Sequence, residues 1–176
     1  MTKKIQPQPA IIQPEAGVDP RAYNHVVGNA QLVTIQLRKH NFDVDADFYD
    51  PQVERKLSFN KECLACTFDP ESNSIAGSFR FSILGKLGRK SVLKSAADYL
   101  VIYQFADVVA EDAATAFCQR IGLYAAYPYY RALVSSLSAA ANLDLPTLPM
   151  IATRGSPLPV PKDKSSEIEG RADSPD

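Results

Sequence analysis

Histidine and cysteine are scarce in this sequence, and tryptophan is missing. Among 176 residues there are two histidines and three cysteines. An odd number of cysteines is a poor basis for a disulfide framework and suits a reducing compartment. Cys63 and Cys66 have the C-x-x-C spacing, but residues three apart on a strand point to opposite faces and cannot converge on one metal. We therefore expect buried structural thiols, with no metal or redox site and no cofactor.

The sequence also lacks a charge bias and long apolar runs. The net charge is −1, and lysine and arginine form no stripe with interleaved aromatic residues, so nucleic acid is not an expected partner. No apolar run approaches the ~18 residues of a membrane span, and the N-terminus lacks the apolar core of a signal peptide. We expect a cytoplasmic protein without membrane insertion.

Catalytic motifs are missing as well. The sequence contains no G-x-S-x-G, H-E-x-x-H or P-loop motif, each of which would bring together groups for a known reaction. His25 and His40 lie near segments that we expect to be disordered or at a sheet edge. We therefore expect that the protein is not an enzyme.

The composition indicates one domain between two tails. With 45% hydrophobic and 22% charged residues, the chain is typical of a globular protein. Residues 1–19 and 152–176 combine prolines with polar residues and have too little apolar surface to fold alone. We expect both tails to be disordered and the domain to span residues 20–151.

Alternation of apolar and polar residues predicts four strands. Two of them change parity along their length, which implies a bulge near Lys39 to Asn41 and another in the second strand. Gly85 to Ser95 is predicted to be a loop. Leu100 and Ile102 make the fourth strand apolar on both faces, which indicates a central strand or a face used for association. The predicted strands are residues 32–48, 54–68, 74–83 and 99–106.

Helices are predicted at both ends of this strand region. Asp19 and Pro20 start a short helix before Gly28, and Asp107 caps a later helix with an apolar stripe. Pro128 breaks that helix and starts a second one, which ends near Asn142. The prolines that follow keep residues 143–151 extended. The fold class is therefore α+β, a four-stranded antiparallel sheet followed by a long, proline-interrupted helix.

Tyr127, Pro128, Tyr129 and Arg131 form a Y-P-Y-x-R helix start, and after that helix come Leu143, Leu145 and a proline-rich run. This segment resembles the SecB family of molecular chaperones, in which a Y/F-P-Y-x-R helix start is followed by an L-x-L-x-P exit. With the order of elements before it, the resemblance extends over residues 24–151. It implies a homotetramer, built as a dimer of dimers, that holds unfolded polypeptides in apolar grooves without hydrolysing ATP.

Two departures from the export members of the family bear on the partners. Those members are strongly acidic and dock the translocation ATPase, whereas this chain is nearly neutral, so docking of that ATPase is in doubt. They also have a second helix after the exit, while Thr147 to Pro161 is too rich in proline to form one. That ending resembles the SecB-like chaperones of toxin–antitoxin systems, whose client is one antitoxin rather than many preproteins.

The candidate sites are apolar surfaces. We expect a client groove with a floor on the first two strands and a wall after the last helix, and an oligomer interface on the fourth strand and the helix after it. The groove residues are Phe42, Val44, Leu57, Phe59, Leu143, Leu145, Leu148 and Ile151. The interface residues are Val101, Tyr103, Phe105, Ala110, Ala113, Ala114 and Phe117.

Two other classes of protein are compatible with the pattern. A hotdog-type thioesterase also wraps an antiparallel sheet around a helix, although its helix usually follows an early strand and here all four strands come first. A structural or ligand-binding subunit without chaperone activity is the other alternative. An acyl-thioester hydrolysis assay tests the first, and suppression of client aggregation tests the second.

Overall fold

The fold is one antiparallel sheet with helices on one face. A computed structural model describes residues 18–50 and 55–148. The elements in chain order are α1 (Pro20–Asn29), β1 (Ala30–Val44), a 3-10 turn (Ala46–Tyr49), β2 (Lys56–Asp69), β3 (Ser74–Leu87), β4 (Lys90–Phe105), α2 (Glu111–Phe117), a π-helical turn (Cys118–Gly122) and α3 (Leu123–Ala140). The predicted α+β class is confirmed. Nearly all of both tails, and the predicted domain end at residue 151, lie outside the described residues.

The short helix α1 begins as the sequence predicts. The Asp19 carboxylate accepts a hydrogen bond from the Arg21 amide at 3.1 Å, with Pro20 at the first helical position. Gly28 lies within the helix instead of ending it. The Ala106 amide donates to the Asn29 carbonyl at 3.1 Å, so the end of α1 is joined to the end of β4.

The strand order is β1-β4-β3-β2, which leaves β1 and β2 at the two edges. Bulges shift the register of β1 between Leu32 and Thr34 and between Leu37 and Lys39. The second shift adjoins the predicted position. In β2 a bulge between Cys63 and Ala65 confirms the one inferred from the change of parity.

The first strand ends earlier than predicted, because the chain turns at Asp45. Phe48 is buried in the 3-10 turn, not in a strand. The Asp45 carboxylate caps this turn by accepting from the Asp47 amide at 3.0 Å. The Lys90 ammonium reaches the Asp45 and Asp47 carboxylates at 2.9 and 2.7 Å. These aspartates, which alternate along the sequence, therefore bind a lysine.

The fourth strand begins nine residues before the predicted start. The predicted loop from Gly85 to Ser95 is in fact a two-residue turn at residues 88–89, with Gly88 in the left-handed region at φ 59°. Val92 and Leu93 behind this turn are each 1% exposed. In the sequence these two apolar residues stand among lysines and an arginine, so the segment was predicted to be a loop.

The helical region departs from prediction at both its start and its break. The cap of α2 is Ala110, while the Asp107 carbonyl accepts from the Asn73 side chain at 2.8 Å. The break is the π-helical turn, and Pro128 lies inside α3. A proline in a helix interior costs about 3 kcal/mol. Burial of Tyr127 and Tyr130, 2% and 0% exposed, offsets that cost.

The core lies between the inner face of the sheet and the helices. Phe81 of β3 stacks on Tyr130 of α3 with ring centroids 5.3 Å apart, and Tyr103 of β4 meets Phe117 of α2 at 5.0 Å. The opposite face of the sheet has no helix from the described part of the chain. No helix formed by residues 18–50 and 55–148 has the length and apolarity needed to cross a bilayer.

Candidate functional site

The end of α3 fixes the start of the segment that follows. Asn142 has φ 52°, its amide donates to the Ala139 carbonyl at 3.2 Å, and the Leu143 amide donates to the Ser138 carbonyl at 2.8 Å. This pair of bonds is a Schellman motif, in which a left-handed residue turns the chain out of the helix. The Ser138 hydroxyl also donates to the Leu143 carbonyl at 2.8 Å. The chain is thereby turned back along α3.

A partly open cleft of about 680 Å³ lies between α3 and the segment 143–148. One side of the cleft is formed by α3, whose lining residues include those three, four, seven and eleven positions after Pro128. This spacing places them on a single helical face. The segment 143–148, which is neither helix nor strand, supplies the other side. The cleft is lined by Tyr127, Pro128, Arg131, Ala132, Val134, Ser135, Ser138, Ala139, Leu143, Leu145, Pro146, Thr147 and Leu148.

The three described leucines of the predicted groove wall line this cleft. Leu143 and Leu148 are each 9% exposed, so they anchor the segment to the core. Leu145 is half-buried and offers apolar surface to a bound group. Ile151 lies outside the described residues.

Charge is nearly absent from the cleft. Among its described lining residues, Arg131 alone is charged. Burial raises the pKa of the Tyr127 phenol, and the nearby Arg131 guanidinium partly opposes that shift. Ser135, Ser138 and Thr147 add hydroxyl groups. The cleft can therefore take an apolar side chain and hydrogen-bond a neutral backbone, with one cation at its side.

The predicted floor residues do not line the cleft. Phe42, Val44, Leu57 and Phe59 are partly buried against the core. Phe59 is separated from the cleft by the ring of Tyr127. The two ring centroids are 5.7 Å apart, and Tyr127 lines the cleft. A role of these four residues in client binding stays a prediction.

The predicted interface residues lie in the core of the single chain, apart from Ala110. Their burial is accounted for by packing between β4 and α2 within one protomer, and no assembly is needed to explain it. Ala110 is exposed. The buried residues are Val101, Tyr103, Phe105, Ala113, Ala114 and Phe117.

The cysteine pair corrects an argument made from the sequence. Cys63 and Cys66 do not point to opposite faces, because the bulge between Cys63 and Ala65 adds one residue to the count. Their sulfur atoms are 3.6 Å apart. The same bulge was predicted from the change of parity, so the sequence contained the signal for this convergence.

The helical side of the cleft was missed from the sequence. Of its residues Arg131, Ser135 and Ser138, the first was used only as part of the family motif at the helix start, and the two serines were given no role. Their spacing of three or four residues was a signal for a shared face. What the sequence could not show is that the segment after Asn142 returns along this face.

Comparison with solved structures gives the chain the fold of a SecB-like chaperone. It superimposes on the Mycobacterium tuberculosis Rv1957 SecB-like chaperone, solved in complex with a ChAD peptide from the Rv1956 HigA1 antitoxin, with a TM-score of 0.63. The match covers 74% of this chain and 97% of that one, at 20% identity. At that identity the likeness shows the fold alone.

A sequence relative carries the same family description. The SecB-like chaperone SmegB of Mycolicibacterium smegmatis is 36% identical over 64 residues, which are 36% of this chain and 44% of that protein. The match thus spans less than half of the length of this relative. No protein-family model matches the chain. The resemblance to the SecB-like chaperones that the sequence indicated is confirmed by these two comparisons.

Proposed function

We propose that this protein is an ATP-independent chaperone that holds unfolded polypeptide in the cleft between α3 and residues 143–148. The observation that carries the proposal is the nearly uncharged cleft with the half-buried Leu145 beside it. The hotdog thioesterase is disfavoured, because the four strands follow one another and the long helix comes after them.

Apolar burial suits a client without fixed sequence. It is non-directional and contributes about 25 cal/mol per Å², or about 1.5–3 kcal/mol for one large side chain. One such contact gives weak binding. Several contacts along an extended chain give useful affinity while each remains easy to release.

An antitoxin is the client class that we favour over preproteins. A protein of the same fold was solved with an antitoxin peptide, and the net charge of −1 gives no support for docking an ATPase through an acidic patch.

We also propose that the protein acts as a homotetramer in the cytoplasm. Leu32, Val33 and Leu37 on edge strand β1 are 49%, 57% and 47% exposed, and adjacent apolar residues of this kind mark association surfaces. The three cysteines are free thiols, which suits a reducing compartment. Light scattering at micromolar concentration tests the assembly, and a monodisperse monomer would contradict it.

Replacing Leu145 by serine tests the cleft directly. Leu64 is the matched control, because it is a 40% exposed leucine that does not line the cleft. The assay follows light scattering of reduced α-lactalbumin as it aggregates, with increasing amounts of chaperone and no nucleotide. Loss of one leucine contact should weaken the affinity for the unfolded client by about 10- to 100-fold. The Leu64→Ser variant should bind the client as tightly as the wild type.

Three outcomes separate the alternatives. A wild-type protein that does not suppress aggregation would contradict the chaperone proposal. A folded Leu145→Ser variant that holds client normally would place the groove elsewhere. A requirement for ATP would contradict the proposed mechanism, in which burial alone binds the client.

A further inference from the structure

Three thiols meet between the edge of the sheet and the helices. The bulge in β2 brings the sulfur atoms of Cys63 and Cys66 to 3.6 Å. Gly77 pairs with Cys66 across the strands, and a Cβ atom added to Gly77 would lie 2.5 Å from the Cys118 sulfur. The absence of a side chain at Gly77 thus admits the third thiol beside the other two.

The three thiols differ in access to solvent. Cys63 and Cys66 are partly buried, on an edge strand. Cys118 is 0% exposed and belongs to the π-helical turn. Cys63 and Cys66 thus keep partial access to solvent, whereas Cys118 is covered.

We propose that Cys63 and Cys66 form a reversible oxidation site, at which the two thiols close to a disulfide within β2. The oxidant is a peroxide or a low-molecular-weight disulfide. With hydrogen peroxide, each thiol gives up its proton and one electron, the S–S bond forms, and the peroxide takes up the two protons and two electrons to give two molecules of water. With a disulfide, the two thiols are oxidised by exchange and two small thiols leave.

The geometry needs little movement for this step. Bond formation requires the sulfur atoms to approach from 3.6 Å to about 2.05 Å. Because both residues lie on one strand, the approach involves side-chain rotation and adjustment of the bulge, with no displacement of one element relative to another. The Cys63 thiol already lies 3.8 Å from the Ala65 carbonyl, to which it donates.

A metal centre is a weaker explanation of the same cluster. Within residues 18–50 and 55–148 no group of three or more histidine, cysteine or acidic residues has the arrangement of a metal site.

Hydrogen bonding with the Cys118 thiol and burial raise the pKa of Cys66 to about 12, and hydrogen bonding with Cys66 and burial raise the pKa of Cys63. Since the thiolate is the nucleophile, oxidation should be slow at neutral pH and faster as the pH rises.

Mass spectrometry of the full folded chain tests the site. The reduced folded protein is treated with hydrogen peroxide or oxidised glutathione and then denatured, so that the buried Cys118 is also accessible. Free thiols are blocked with N-ethylmaleimide in the denatured chain, and intact mass and peptides are analysed. We expect a product that has lost two hydrogens and carries one blocked thiol, at Cys118, and dithiothreitol should restore three blocked thiols. Cys118→Ala should still form the product, and Cys66→Ala should not.

Other linkages would overturn the proposal. A Cys66–Cys118 bond, a link between chains, or stable sulfinic acid or glutathione at Cys63 without the internal disulfide would each do so. If Cys118→Ala is unfolded by circular dichroism, Cys118→Ser replaces it. Failure of the folded variant to form the Cys63–Cys66 bond would show that the third thiol is a partner in the linkage.

Discussion

Replacing Gly122 by alanine should destabilise the protein, although alanine is the better helix former. Gly122 is buried in the π-helical turn, where an added Cβ would lie 2.5 Å from Cζ and 2.7 Å from Cε2 of Phe79. The Phe79 ring is 0% exposed and is also within 2.7 Å of a Cβ added at Gly77. A ring between two glycines has nowhere to move.

The magnitude follows from two opposing effects. Overpacking of a core costs about 1–3 kcal/mol, while removal of a helical glycine returns up to about 1 kcal/mol. The free energy of unfolding should fall by about 1–2 kcal/mol. At about 2–4 °C per kcal/mol for a protein of this size, the melting temperature should fall by several degrees.

Gly28→Ala is the matched control, measured by the same thermal and urea denaturation. Gly28 also lies in a helix, α1, but nothing is within 4 Å of its added Cβ. Its replacement should raise the free energy of unfolding by about 0.5–1 kcal/mol. A Gly122→Ala variant as stable as the wild type would refute the close packing of Phe79 against the turn. Partial rescue by Phe79→Leu in the double mutant would support it.

Two further predictions concern the helix exit and the buried phenols. Asn142→Val should lower the free energy of unfolding by about 1–2 kcal/mol, because a β-branched residue is strained in the left-handed region, whereas Asn142→Gly should not lower it. Equal urea midpoints for these two variants would contradict the cap described for Leu143. Burial raises the pKa of Tyr99, Tyr103 and Tyr130 from 10.0 to about 12, so the folded state holds their protons more tightly than the unfolded state. Stability should thus be unaffected below pH 10 and fall as the pH rises towards 12. Tyrosinate absorbance should show these three phenols ionising together with unfolding, and ionisation of these three near pH 10 in the folded protein would contradict their burial.

The sequence was sufficient for features that depend on local pattern. Alternation located all four strands, and the change of parity in β2 predicted a bulge in that strand, which the structure places between Cys63 and Ala65. Asn142 was expected near the end of the helix and occupies the left-handed position after it. These features depend on residues close together in the chain, which a periodic pattern can report.

Features that depend on distant packing were not predicted correctly. Pro128 was expected to break the helix, but the buried tyrosines on either side of it keep it helical, and the irregular turn lies where Gly122 faces Phe79. The sequence shows neither contact. The start of β4 was missed for a similar reason. In the sequence Val92 and Leu93 are two apolar residues among basic ones, and only the structure shows that they are buried.

The strand order has a consequence for the time course of folding. β2, β3 and β4 are joined by two short turns, whereas β1 pairs with β4 from Ala30 opposite Phe105 to Val44 opposite Leu93. Closing a long loop costs more entropy than closing a hairpin, so we expect β1 to join the sheet last. During synthesis the N-terminal strand nevertheless leaves the ribosome first. Until β4 emerges, the nascent chain carries an unpaired strand with one apolar face, of the kind that a chaperone binds.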